Sequence, residues 1–175
     1  MAERTKIWIA DSLRKLLSRK SIDKIRVTEI CREAEIERPT FYYHFKDKYD
    51  LMAWMIFQFA YNTDVLDLDS ASAALDRMKK DCIFYKRAYE DNSQTPMWKY
   101  MHEYFVERYA HMAKQNLATD TLDTQLMYSI RLYCYGTLGM TREWVLTDNI
   151  TLSRTAAQMM LESMPETLKQ ILYRA

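Results

Sequence analysis

A chain of 175 residues, 49% apolar and 28% charged, is long enough to bury a core and too hydrophobic to stay disordered. It holds two glycines and three prolines, against roughly twelve and nine at average usage. That scarcity speaks against a turn-rich β-sandwich or barrel and leaves no Gly-rich loop for a nucleotide phosphate, so an all-α fold is expected. The net charge is +1, but the basic excess sits at the start: 12 Lys+Arg against 9 Asp+Glu in residues 1–50, and 13 against 15 in 51–175.

In chain order, a first helix is expected over 4–18, with Ile7, Ala10, Leu13, Leu16 and Leu17 on one face. After a break at 20–24, Val27, Ile30, Cys31 and Ala34 recur at i, i+3, i+4, i+7 and give a short second helix. Glu35-Ile36-Glu37 is a turn into a third short helix, Pro39 to His44, because proline suits a first helical turn. Phe41 and Phe45 point inward from it. Lys46-Asp47 opens a long fourth helix with Leu51, Met55, Ile56 and Phe59 on its apolar face. Residues 64–70 read as a linker, with Asp69 or Ser70 capping a helix to about Glu90. Residues 91–96 are the clearest breaker, and further helices are expected over 96–115, 121–146, 150–163 and 165–174.

Cys31, Cys82 and Cys134 are an odd, widely spaced set in apolar-periodic stretches, which predicts buried free thiols in a reducing compartment. The N-terminus is charged too often for a signal peptide, and the longest uncharged run, 51–63, is too short to span a bilayer. A soluble, cytoplasmic protein with no membrane partner is expected.

Two short helices joined by a three-residue turn and preceded by a supporting helix are the layout of a helix-turn-helix. The third helix leaves Arg38, Thr40, Tyr43 and His44 outward, flanked by Lys46 and Lys48, with no acid between Arg38 and Lys46. A solvated face normally mixes Glu with Lys. Hydroxyls and aromatics beside cations instead suit phosphate oxygens, base edges and thymine methyls. The division expected is a helix-turn-helix domain over 1–50 and a helical domain over 51–175.

Residues 5–52 resemble the DNA-binding domain of the TetR family of bacterial transcriptional regulators. The strongest match is Pro39-Thr-Phe-Tyr-Tyr-His-Phe-Lys-Asp-Lys-Tyr-Asp-Leu, on which Thr40, Tyr42, His44, Phe45, Lys48 and Leu51 fall at the family's positions. The run Phe-Tyr-Tyr-His-Phe-Lys-Asp-Lys is also similar to regulators of the dihydroxyacetone kinase type within that family. The resemblance implies that Thr40, Tyr42, His44 and Lys48 hold the sugar-phosphate backbone, while Arg38 and Tyr43 enter the major groove with Pro39 in apolar contact. Tyr42 also has room to fill space beneath the first helix. Where the family has a capping hydroxyl at the second helix, this chain has Arg26, with Thr28 two residues on; Arg26 is expected on a phosphate instead. The family's turn glycine is replaced by Glu35, which costs roughly 1 kcal/mol if that residue is left-handed.

A short recognition helix reads about four base pairs, too few to find one site in a genome, so a homodimer on a (pseudo)palindromic operator in double-stranded DNA is expected. Both glycines, Gly136 and Gly139, lie inside one predicted long helix, each costing up to about 1 kcal/mol there. Close approach of another helix would compensate. With Leu132, Tyr135, Leu138 and Met140, and with Leu152, Met159 and Met160 of the next helix, they make half of a four-helix interface similar to the family's; an intramolecular neighbour or a kink is the alternative. Residues 51–175 hold 17 of the 23 aromatics, more often core than pocket, yet the family implies a small-molecule cavity there. Tyr85, Tyr89, Trp98, Met101 and Phe105 are its candidate wall, for a small apolar or aromatic effector. No cofactor, metal or catalytic residue is expected, since Glu107 and His111 lack a second copy of a di-metal motif. The competing reading is a helix-turn-helix adaptor or coactivator that signals through a protein partner, which the acids Glu35 and Glu37 favour.

Overall fold

The computed structural model describes residues 2–60, 67–89, 97–147 and 150–173, of which 2 and 58–60 by their backbone alone. The fold is all-α: the described residues form α1 (Ala2–Leu17), a 3₁₀ turn (Ile22–Lys24), α2 (Val27–Glu33), α3 (Arg38–His44), α4 (Lys48–Ala60), α5 (Leu68–Lys80), α6 (Cys82–Tyr89), α7 (Met97–Leu117), α8 (Thr124–Leu146), α9 (Ser153–Glu162) and α10 (Glu166–Leu172). No helix among them is long and apolar enough to cross a membrane. The expected breaker at 91–96, the first part of the expected linker, the side chain of Phe59 and the end of the last helix lie outside the described residues. Contacts divide the chain into two units, Met1–Val65 with Asp76–Met97, and Leu66–Leu75 with Trp98–Ala175.

In the first unit α1 packs on α2, α3, α4 and α6. Its buried stripe is Ile9, Leu13 and Leu17, each four residues after the last, with Ser12 beside them returning its hydroxyl to the Trp8 carbonyl at 3.0 Å. Ile7, expected inside, is exposed. Three consecutive apolar residues, Ile7-Trp8-Ile9, let the periodicity fit either face, and packing selected Ile9. Phe41 and Phe45 are buried beneath α3 as expected, each stabilising the helix pair by roughly 1.5–3 kcal/mol. The Phe45 ring meets Trp54 edge-on at 5.6 Å, and the Lys6 ammonium lies 5.7 Å over Trp54.

The single helix expected up to Glu90 is two. The Asp81 amide closes α5 on the Arg77 carbonyl at 3.0 Å, and its own carbonyl receives the Tyr85 amide at 3.3 Å to start α6. Its carboxylate pairs with Arg14 of α1, whose guanidinium lies 4.8 Å over the Phe84 ring. The break thus carries a tertiary ion pair, which leaves no local signal in the sequence. The cap of α5 is Asp67, which accepts the Ser70 amide at 2.7 Å, two residues before the expected Asp69.

In the second unit Asp123 caps α8 by accepting the Leu126 amide at 2.7 Å, so that helix starts three residues later than expected. The Asn116 amide donates to the carbonyls of Ile171 and Leu172 at 3.0 and 3.2 Å, joining the ends of α7 and α10. Tyr133 donates to the Met160 carbonyl at 3.1 Å and the Trp144 indole to the Thr151 carbonyl at 3.2 Å, which dock α9 beside α8. Cys31 and Cys134 are buried free thiols, the latter pushed up to about 12 by burial, whereas Cys82 is half-buried.

The two glycines are not where the backbone turns left-handed. Positive φ occurs at Glu35 (49°) and Ala118 (50°), and at no glycine, among the described residues. Both close the preceding helix in one way. Glu35 and Ile36 donate to the carbonyls of Arg32 and Cys31 at 3.2 and 3.0 Å, and Ala118 and Thr119 to those of Gln115 and Lys114 at 3.2 and 3.0 Å. This is the Schellman arrangement, in which glycine is favoured at the left-handed position. Glu35→Gly and Ala118→Gly should each stabilise the fold by about 0.5–1 kcal/mol, the relief of backbone strain being partly offset by added freedom in the unfolded chain. The sites lie in different units, so the gains should add, raising Tm by roughly 2–4 °C per kcal/mol in a chain of this size. A double variant melting no higher than the parent would refute the assignment of strain.

Candidate nucleic-acid interface

The starts of α2 and α4, on either side of α3, are fixed by carboxylate caps. Arg26 is the N-cap of α2 but has no acceptor to cap with. Glu29 does the capping, accepting the Arg26 amide at 2.8 Å and also taking the Lys20 ammonium. Those contacts, Lys20 first, hold the Glu29 carboxyl below its ordinary range. At the far end Asp47 caps α4, its Oδ1 accepting the amides of Tyr49 and Asp50 at 2.8 and 2.9 Å, while Asp50 takes the Lys46 amide at 2.8 Å. Asp47 and Asp50 are thus occupied by backbone N–H groups beside the basic surface.

Between these caps α3 stands out of the first unit. Arg38 begins the helix, one residue before the expected Pro39, and Pro39 takes its second position. Arg38, Pro39, Tyr42, Tyr43 and Lys46 are exposed, Tyr43 to 81%, while Thr40, His44 and Lys48 are half-buried. Tyr42 does not fill space beneath α1: its ring is half-exposed, edge-on to Phe41 at 5.5 Å and 5.8 Å under the Arg38 guanidinium. The Tyr43 ring lies 4.9 Å from His44, likewise edge-on. Two aromatic rings thus steady the outward face of the helix. Glu35 and Glu37 are exposed at its start.

An open hollow of about 440 Å³ runs from the start of α2 to the start of α4. It gathers Arg26, Thr28, Arg38, Tyr42 and Lys48, five of the ten residues expected at DNA, with Tyr49 and the acids Asp23 and Asp47. Tyr49 carried no sequence signal beyond its place in the motif. Pro39, Thr40, Tyr43, His44 and Lys46 do not line the hollow. The Lys48 ammonium donates to the carbonyls of Asp23 and Ile25 at 3.0 and 2.8 Å. A cationic, hydroxyl-bearing surface on a two-helix corner, with its hydrophobic residues turned inward, is suited to a phosphate backbone and a groove.

Residues 9–54 match the family model described as bacterial regulatory proteins, tetR family. This segment is a TetR-family DNA-binding domain. It occupies about a quarter of the chain. Among curated proteins none matches the chain significantly. Among solved structures, the Dihydroxyacetone kinase operon activator DhaS is similar in fold, with a TM-score of 0.58 at 18% identity over 95% of this chain and 97% of that one. The likeness in fold therefore extends through the helices beyond the matched domain.

The other expected sites lie outside residues 9–54. Leu132, Tyr135, Gly136, Gly139 and Met140 are exposed on α8, Leu152 and Met159 are exposed at α9, and Met160 is half-buried. Leu132, Gly136, Met140, Met159 and Met160 line a half-open groove of about 370 Å³ with Trp144 and Pro165. Leu138, grouped with them in the sequence, is buried. Beyond the adjoining residues and the helix's own nearby backbone, no atom of the described residues comes within 4 Å of where a Cβ would stand on Gly136 or Gly139, so no neighbour among the described residues requires them. Of the candidate effector wall, Tyr85 and Tyr89 belong to the first unit and Trp98, Met101 and Phe105 to the second. All but Trp98 are buried, and none of the five lines the α8–α9 groove. Sequence reasoning missed His102, a buried imidazole stacked on Tyr135 at 3.8 Å, whose Nε2 has no hydrogen-bond partner among the described residues. Burial holds it below the ordinary histidine range.

Proposed function

We propose that the chain acts as a homodimer on a (pseudo)palindromic operator, with one α3 in the major groove of each half-site. The observation that carries this is the outward ridge from Arg38 to Lys46, exposed on a corner whose core is closed behind it by Phe41 and Phe45. Arg38 and Tyr43 would meet base edges and Pro39 a thymine methyl. Arg26, Thr28, Thr40, Tyr42, His44 and Lys46 would lie on the sugar-phosphate backbone. Two copies pair through α8 and α9, where a contiguous apolar face is exposed and both glycines open a surface that none of the described residues fills. Such a face on a soluble chain marks an interaction site, and a two-fold pairing sets the half-sites about one DNA turn apart.

The controlling signal in this reading is a small apolar or aromatic molecule in the second unit. Trp98, Met101 and Phe105 recur on one side of α7, and His102 beside them offers a buried Nε2 that has no hydrogen-bond partner among the described residues. An effector that binds better to one spacing of the two α3 helices shifts the population by its differential affinity.

The test is binding of a mixed-sequence duplex across a salt series. A phosphate-clamping protein loses affinity with a slope of about −0.9 per neutralised phosphate in log K against log salt. A steep slope is expected. No binding even at low salt would replace this reading with that of an adaptor acting through a protein partner, which the acids Glu35 and Glu37 at the start of α3 would suit.

A further inference from the structure

The geometry points to Lys48 as a positioning residue for DNA binding: its ammonium fixes the Asp23–Ile25 turn, and through it sets Arg26 at the phosphate. The inference rests on the proposed DNA-binding reading of the first unit. Lys48 opens α4, where the helix dipole disfavours a cation. A lysine held there needs compensation, and two carbonyl oxygens 23 and 25 residues back in the chain supply it. Those oxygens are not the ones that the neighbouring elements use. The 3₁₀ turn closes on the carbonyls of Ser21 and Ile22, and the α2 ladder begins at the carbonyl of Arg26. The ammonium therefore binds the junction that the backbone ladders leave open.

Both ends of this clamp are anchored. The backbone at Lys48 is held by the Asp47 cap on the first turn of α4. Ile25 is fully buried, and the next residue is Arg26, whose amide is held by Glu29. The Arg26 side chain makes no capping bond and lines the hollow with Thr28, Arg38, Tyr42 and Lys48. Its origin is thus located on one side by Glu29 and on the other by the Lys48 clamp. A lysine whose role was to reach a phosphate would extend its ammonium away from the protein. Here it folds back onto the main chain.

A double-mutant cycle separates the two roles. Affinity for a mixed-sequence duplex of about 20 base pairs is measured over a salt series for the parent, Arg26→Ala, Lys48→Met and the double variant. If Lys48 acts through Arg26, each single change weakens binding to a similar degree, and the double variant is within about 2-fold of Arg26→Ala alone. If Lys48 contacts phosphate itself, the losses multiply and each change takes its own ~0.9 from the salt slope, which overturns the inference. Without DNA, Lys48→Met should also displace the backbone amide resonances of Ile25, Arg26 and Val27, and unmoved resonances would equally overturn it. Lys48→Gln, which keeps two donors, replaces Lys48→Met in both measurements if the latter does not fold. A parent that fails to bind the duplex overturns the DNA-binding reading and the inference with it, whereas binding with multiplying losses overturns the inference alone.

Discussion

Leu132→Asp should convert a dimer into a folded monomer. Leu132 is 59% exposed on α8 and lines the apolar groove beside α9, so its replacement in a lone chain should alter stability by no more than about 0.5 kcal/mol. In a two-fold interface the same residue is used twice, and a buried aspartate has no cationic partner among the groove's lining residues. Losing a central apolar anchor costs about 2 kcal/mol per copy. Two copies make about 4 kcal/mol, or roughly a thousandfold in the dimer Kd. Sedimentation equilibrium should show the parent as a dimer and the variant as a monomer at the same concentration, the variant keeping a cooperative melt at a lower Tm because pairing no longer adds to its stability. Ile83→Asp is the control, because Ile83 is equally exposed, at 59%, but belongs to the first unit. A Leu132→Asp chain that still pairs with the parent's affinity would remove α8 from the interface.

The contrast between these two exposed residues shows where the sequence was informative. The corner from Val27 to Phe45 was legible almost to the residue, because proline, short apolar periods and a three-residue turn each constrain it locally. On α8 the signal in the sequence is of a different kind. Glycines inside a helix carry a cost that needs an explanation, and the empty space around both points outward. What the sequence hid was long-range. The break at Asp81 carries an ion pair to Arg14 of α1, and Lys48 meets carbonyls 23 and 25 residues away. Neither leaves a mark in periodicity. The left-handed turns at Glu35 and Ala118 were hidden because the residue type that usually announces them is absent. His102 has no partner at helical spacing in the sequence, and its burial against Tyr135 is what makes it notable.

Arg38→Ala should flatten base preference at one position of each half-site while leaving the salt dependence close to the parent's. The guanidinium is at the first position of α3, exposed, and 5.8 Å over the Tyr42 ring, an arrangement that reduces its freedom before DNA arrives. A bidentate arginine–guanine pair is worth about 1–3 kcal/mol of discrimination. Two half-sites double this to about 2–6 kcal/mol, a range from thirtyfold upward in preference for the chosen operator. Lys46→Ala gives the opposite pattern. Lys46 is exposed just past the end of α3, and its loss should weaken all sequences alike and reduce the salt slope by about 0.9 per protomer. Selection from a random duplex library, repeated with both variants, reads the two effects separately. Loss of preference in Lys46→Ala, with preference retained in Arg38→Ala, would move base reading off the start of α3 and onto its far end. In that case Tyr43, the most exposed aromatic ring of the helix, would be the next residue to replace.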